Sequence, residues 1–247
     1  MGAGLLDVVR AEAPIEADRG VQLAEDWMLW LCESRHIAIM PAMEVVVRSA
    51  RPEDAADALL YASAAPYYAA YAGGADRARR LLRQLYPRRG HTASWEVCHV
   101  AIAGDEVVGV LAAFPTREGD ALARRFVRLT LRHTPPWRIP PLMRHLRATA
   151  AVSPHPPDGM LYVDALATAP SHRRQGVARA LLAEADRMAA AAGLDGVALD
   201  TGIENRPARS LYEHTGFSPS SLRPAPDART ARAVGGSGFV SYVKPRA

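Results

Sequence analysis

Leu161-Tyr162-Val163-Asp164-Ala165-Leu166-Ala167-Thr168-Ala169-Pro170-Ser171-His172-Arg173-Arg174-Gln175-Gly176-Val177-Ala178 is the stretch that decides this fold. Its first half is a short apolar run that reads as a strand over Leu161–Thr168. Its second half opens a helix over Gly176–Ala192, with Ala178, Leu181, Leu182, Ala185, Met188 and Ala192 on one face. The turn at Arg174–Val177 therefore coincides with a helix N-terminus. Backbone N–H groups there lack helical partners and carry the positive end of the dipole. A pyrophosphate suits such an end. Gly176 removes a side chain where a ligand must approach the backbone, and Ala178 keeps the next position small. Arg173, Arg174 and Arg179 add positive charge. Asp164 interrupts the apolar run. The two-residue period of a strand puts residues 162, 164 and 166 on one face, and a carboxylate on a central strand is rare unless paired or used.

Outward from this block, strands and helices alternate. Upstream, Glu44–Ser49 reads as a strand, Pro52–Ala65 as a helix with Glu53 and Asp54 early, and Asp76–Leu85 as a basic helix. Glu96–Ala103 and Glu106–Phe114 read as two strands joined at Gly104-Asp105, a tight hairpin signal. Residues 115–158 form a long connection with arginine-rich helical segments and prolines at 135, 136, 140 and 141. A connection of that length reads as a lid or inserted subdomain. Downstream come a strand over Val197–Gly202, a short helix over Pro207–His214, and closing strands from Phe217 that end at Phe239–Val243. Ahead of all this, residues 1–43 read as a helical extension, with Leu23, Trp27, Trp30 and Leu31 at helical spacing over Val21–Ile39. A native start at Met43 is a second reading. The main domain spans residues 44–247. The order argues for an α/β (α+β) domain around one sheet.

Composition narrows the functional classes. The chain has 247 residues, 49% apolar and 23% charged, with a formal net charge of +4. That is the mix of a globular domain with a real core. Its positive charge is spread out, without the basic stripe or reading motif of a nucleic-acid binder. No apolar window is long enough for a membrane span. Cys32 and Cys98 show no metal or disulfide spacing, so no metal site is expected and a reducing cytoplasm is the simpler setting. His91, His99, His133 and His145 have no metal spacing either. Gly-rich phosphate loops of nucleotide hydrolases and dehydrogenases are absent from the sequence.

Three stretches in register carry a resemblance. Arg173-x-x-Gly176-x-Ala178 resembles the Gln/Arg-x-x-Gly-x-Gly/Ala signature of the GCN5-related N-acetyltransferases (GNAT). Leu166-Ala167-Thr168-Ala169-Pro170 resembles the strand end that precedes that signature. Asn205-x-x-Ala208-x-x-Leu211-Tyr212-x-x-x-Gly216-Phe217 resembles the block that follows it. Thr168 stands for the usual Val and Arg174 for a common Gly, both positions expected to act through the backbone. The resemblance implies a splayed, mostly antiparallel mixed sheet flanked by helices on both faces. It implies acetyl-CoA as co-substrate, with its pyrophosphate on Arg173, Arg174, Gln175, Gly176, Val177, Ala178 and Arg179. Its pantetheine arm would lie along Leu166, Ala167 and Thr168 like an added strand and reach Asn205. The N–H near Leu166 would steady the thioester carbonyl. Tyr212 would give a proton to the departing thiolate.

An amine with a pKa of about 10.4 must lose a proton before it can attack. Asp164 is the expected base or ammonium binder, with Asp200 and then Glu204 as further candidates; Asp200 also reads as structural. The reaction expected is direct transfer of acetyl to a primary amine in a ternary complex, the amine belonging to a small molecule because residues 115–158 crowd the substrate side. A protein lysine or N-terminal acetyltransferase is one alternative, and an acyl-CoA sensor without turnover another. No nucleic-acid or membrane partner is expected, and a homodimer is compatible with the sequence.

Overall fold

The computed structural model describes residues 45–246 of the chain. The extension over 1–43, the helix read over Val21–Ile39, Cys32 and the start at Met43 all lie outside the described residues. Among the described residues, seven strands form one sheet: β1 (Val45–Ser49), β2 (Cys98–Ala103), β3 (Glu106–Pro115), β4 (Leu161–Thr168), β5 (Gly196–Gly202), β6 (Ser218–Pro224) and β7 (Gly238–Pro245). They lie in the order β1-β2-β3-β4-β5-β7-β6. Only β4 and β5 run parallel; every other neighbouring pair is antiparallel. The hairpin at Gly104-Asp105 closes β2 onto β3, with Ala103 opposite Glu106 and Gly104 at φ 59°. Positive φ at such a tight turn is what glycine supplies at no steric cost.

Helices cover both faces. On one side lie α1 (Asp57–Ser63), α2 (Ala65–Ala72), α3 (Ala75–Leu85), α4 (Thr116–Arg132) and α5 (Ile139–Ala150). Leu60, Leu82, Leu85 and Phe126 pack there against Val100, Val110 and Ala112 of the sheet. On the other side α6 (Val177–Ala191) and α7 (Arg206–His214) bury Val177, Leu181, Leu182, Ala185 and Tyr212 against Leu111, Val163, Val197 and Leu199. A last helix, α8 (Ala228–Val234), bridges β6 and β7. Residues 115–158 are therefore mostly helical, as α4 and α5 separated by a 3₁₀ turn at Pro136–Arg138.

Two local readings change. The helix read over Pro52–Ala65 is broken in two. A 3₁₀ turn at Pro52–Asp54 stops at Ala55, which sits at φ 49°. There Asp54 is drawn aside by both Arg48 nitrogens at 2.7 and 2.8 Å and by the Arg51 N–H at 2.6 Å. After α1 the chain restarts as α2, because Pro66 cannot donate the bond that would continue the helix. The strand read from Glu96 begins at Cys98 instead. Ser94 caps a 3₁₀ turn over Trp95–Val97 by accepting from the Glu96 N–H at 3.2 Å.

Candidate active site

The sheet opens where β4 and β5 part. The two strands pair only through Leu161–Val197, Tyr162–Ala198 and Val163–Leu199. Beyond that point β4 keeps its bonds to β3 and β5 keeps its bonds to β7, and a wedge-shaped gap opens between them. A bulge sits at the apex. Ala112 faces Ala165 and Ala113 faces Val163, so Asp164 is the extra residue. The bulge corrects the expected strand faces. Val163 and Leu166 pack toward α6, while Ala165 and Ala167 pack toward α1–α3. Asp164 and Leu166 therefore do not share a face, because one inserted residue inverts the alternation beyond it.

The β4 arm of the gap carries free backbone groups. Ala169 donates its N–H to the Val108 carbonyl at 2.8 Å. Alternation along an antiparallel pair then turns the N–H and C=O of Leu166 and Thr168 away from β3, into the gap. Ala167, expected beside them, directs its own groups to Val110 across the ladder. The Thr168 hydroxyl is buried without a partner.

At the wide end of the gap stands the N-terminus of α6. Gly176 is its N-cap at φ 86°, and no side chain caps it. The first helical bond runs from the Ala180 N–H to the Gly176 carbonyl at 3.0 Å. The N–H groups of Val177, Ala178 and Arg179 thus have no intrahelical acceptor. A side chain at Gly176 would meet nothing within 4 Å, so the space in front of this helix end is open. Arg174 also adopts a left-handed conformation, at φ 61°, which explains why glycine suits this turn. Arg173, Arg174, Gln175 and Arg179 are exposed around it, and Gln175 donates to the Ser171 carbonyl at 3.1 Å. These groups make a ready anion cradle.

At the apex, Asp164 is open to water although protein is densely packed around it. Burial, with the nearby Asp200 charge as a smaller cause, pushes its carboxyl up to about 7. The other two carboxylate candidates are in different settings. Asp200 is raised by burial, an effect opposed by Ser241 and Tyr162, and one of its oxygens is buried and unpaired. Glu204 is held below the usual range by Ser237, whose N–H it accepts at 2.9 Å. Glu204 thus ties a turn together and stays ionised. Asp164, raised to about 7, is poised near neutrality.

Tyr212 is buried on α7, with its ring 5.6 Å from Tyr242 and 6.0 Å from Phe217. Burial first, then the Asp200 and Tyr242 charges, raise its phenol well above the ordinary value, so it stays protonated. Tyr242 serves the structure, since its hydroxyl donates to Glu213 at 2.9 Å and receives Arg209 at 3.2 Å. Asn205 caps α7, accepting from the Ala208 N–H at 3.4 Å and donating to the Thr201 hydroxyl at 3.0 Å. An asparagine amide has four bonding sites, so two remain for a ligand.

Sequence reading misses the aromatic wall. Tyr67 and Tyr68 on α2 lie near enough to Asp164 for its charge to help hold their phenols up, after burial. Tyr162 is raised likewise by burial and by Asp200. His145 of α5 packs on Tyr67 with ring centres 5.3 Å apart. The available signal is Tyr67-Tyr68-x-x-Tyr71, a one-turn repeat lying between the two helices read upstream.

The chain matches the family model described as Acetyltransferase (GNAT) family over residues 59–217. A solved acetyltransferase superposes with a TM-score of 0.59 at 16% identity, over 82% of this chain and all of its own. An N-acetyltransferase from Staphylococcus aureus Mu50 gives 0.58 at 16% identity, over 80% of this chain and 98% of its own. At those identities the likeness is one of fold. No curated protein sequence matches the chain.

Proposed function

Since this chain belongs to the acetyltransferase (GNAT) family and takes acetyl-CoA as its acyl donor, we propose that it acetylates a primary amine of a small molecule by direct transfer. The carrying observation is the carboxylate at the apex of the gap, raised to about 7 and walled by tyrosines. In this reading the pyrophosphate rests on the N–H groups that open α6, among Arg173, Arg174 and Arg179. The pantetheine arm completes the gap by bonding to Leu166 and Thr168, and Asn205 reaches it from α7.

The acceptor arrives as an ammonium ion. Asp164, ionised above about pH 7, takes one proton and frees the lone pair. Nitrogen attacks the thioester carbonyl, and the oxygen takes up negative charge near the Leu166 N–H. Collapse breaks the carbon–sulfur bond. Tyr212 faces a leaving thiolate whose ordinary pKa is about 8.5, well below that of its own raised phenol. Full transfer from Tyr212 is uphill, so the phenol stabilises the thiolate by donating a hydrogen bond. The second amine proton then neutralises the sulfur. No acyl-enzyme forms in this scheme. Cys98, a buried free thiol raised by its burial, stays out of it.

The test is thiol release from acetyl-CoA over matched panels of small amines and of lysine- or amine-terminated peptides. Turnover on small amines, with no acetylated protein by intact mass without acceptor, is the expected result. Turnover confined to peptides would reverse the substrate assignment. Coenzyme binding without release on either panel would leave a sensor.

A further inference from the structure

A second cavity lies away from the gap, between α2, α3, α4 and the turn that leads into α5. Its volume is about 250 Å³. Arg77, Arg80 and Arg138 line it together with His133, and among the described residues no aspartate or glutamate does. Arg77 and Arg138 are held in place. Arg77 donates to the Gly73 carbonyl at 3.2 Å and Arg138 to the Ala72 carbonyl at 3.4 Å. Those two contacts finish the C-terminus of α2, which is a structural reason for two of the three arginines. It accounts for neither Arg80 nor the cavity floor.

The floor carries Tyr71 and Thr130, only 4% and 2% exposed. Their hydroxyls lie near enough to bond each other and have no other partner among the described residues, which leaves one buried O–H between them without an acceptor. Buried hydroxyls without acceptors are uncommon and carry a desolvation cost. Arg77 and Arg80 are exposed and Arg138 is half-buried, so their three charges stand at the cavity without a counter-charge among its lining residues. One occupant answers both: an oxyanion that accepts from the free O–H and neutralises the arginines. Planar guanidinium groups match two oxygens of a phosphate or carboxylate.

We propose that this cavity, built by Arg77, Arg80, Arg138, Tyr71 and Thr130, binds a small multivalent oxyanion, separately from the coenzyme. Its volume suits a phosphate or a short dicarboxylate. The Tyr71 ring stacks on Tyr67 with centres 6.2 Å apart. An occupant therefore touches the aromatic row that walls the catalytic apex.

The experiment measures thermal unfolding of the full chain at constant ionic strength, with inorganic phosphate or succinate titrated in. Saturating acetyl-CoA is present throughout, so that the coenzyme's own phosphate cradle is filled. The expected result is a further saturable rise with one of the two anions, which also assigns the ligand as phosphoryl or carboxylate. Arg80→Ala and Thr130→Val should each weaken that response about tenfold or more, as loss of a charge-assisted hydrogen bond does. Both should keep the shift caused by acetyl-CoA alone, which shows that they fold, and Arg88→Ala should behave as wild type. No response to either anion, or an equal response in Arg80→Ala, would overturn the proposal.

Discussion

At the scale of single residues, the proposed mechanism divides the chemistry between Asp164, a carboxyl raised to about 7, and Tyr212, a phenol that stays protonated. If Asp164 is the base, kcat/KM rises with pH through about 7, and Asp164→Asn gives a lower and flatter profile. A parallel profile would leave it as an ammonium binder. Stability follows the opposite sign. A carboxyl raised in the folded state keeps its proton there to higher pH than in the unfolded chain, so stability falls as pH climbs from about 4 to about 7 and levels off above that. Asp164→Asn should remove that fall and unfold at a higher temperature than wild type at about pH 8. Tyr212→Phe should cost on the order of 10²-fold in kcat, as loss of one hydrogen-bond donor to a developing anion does, with acetyl-CoA affinity retained. These two residues are legible in the sequence because motif and polarity single them out. The contrast among Asp164, Asp200 and Glu204 is not, because it depends on burial and on Ser237 and Ser241, which are distant in sequence.

At the scale of elements, the strand and helix of the quoted block follow from local pattern alone, and the structure places them at Leu161–Thr168 and Val177–Ala191. The bulge does not follow. Leu161–Thr168 reads as a regular strand, and only the pairing with β3 shows that Asp164 is extra. The α1–α2 break is written in Pro66 but hidden by an unbroken apolar run. Close packing of α6 on β3 makes the proposed coenzyme cradle sensitive to the sheet beneath it. A Cβ at Gly109 would come within 2.7 Å of Val177 and 2.9 Å of Leu181. Gly109→Val should therefore push the start of α6 outward, costing about 1–3 kcal/mol by overpacking. Denaturant midpoints would register the loss, and acetyl-CoA affinity should fall with it. An unchanged midpoint would mean that α6 is not seated as described.

At the scale of the whole molecule, three residue pairs are all that join β4 to β5. Strands β1–β4 with α1–α5 lie to one side of that seam, and β5–β7 to the other; α6 spans it by packing on both, and α8 packs across it on α2 and α5. A ligand bridging the gap should stabilise the fold by about 2.7 kcal/mol at 100 times its dissociation constant, roughly 5–10 °C for a protein of this size. Calorimetry with and without acetyl-CoA checks this, and no shift would contradict the cradle. The narrow seam has a further consequence for amide hydrogen exchange. Backbone amides in β5, β6 and β7 should open together through a partial unfolding that leaves β1–β3 protected. Bound coenzyme should merge the two populations into one slow class, like a zip drawn closed along its open length.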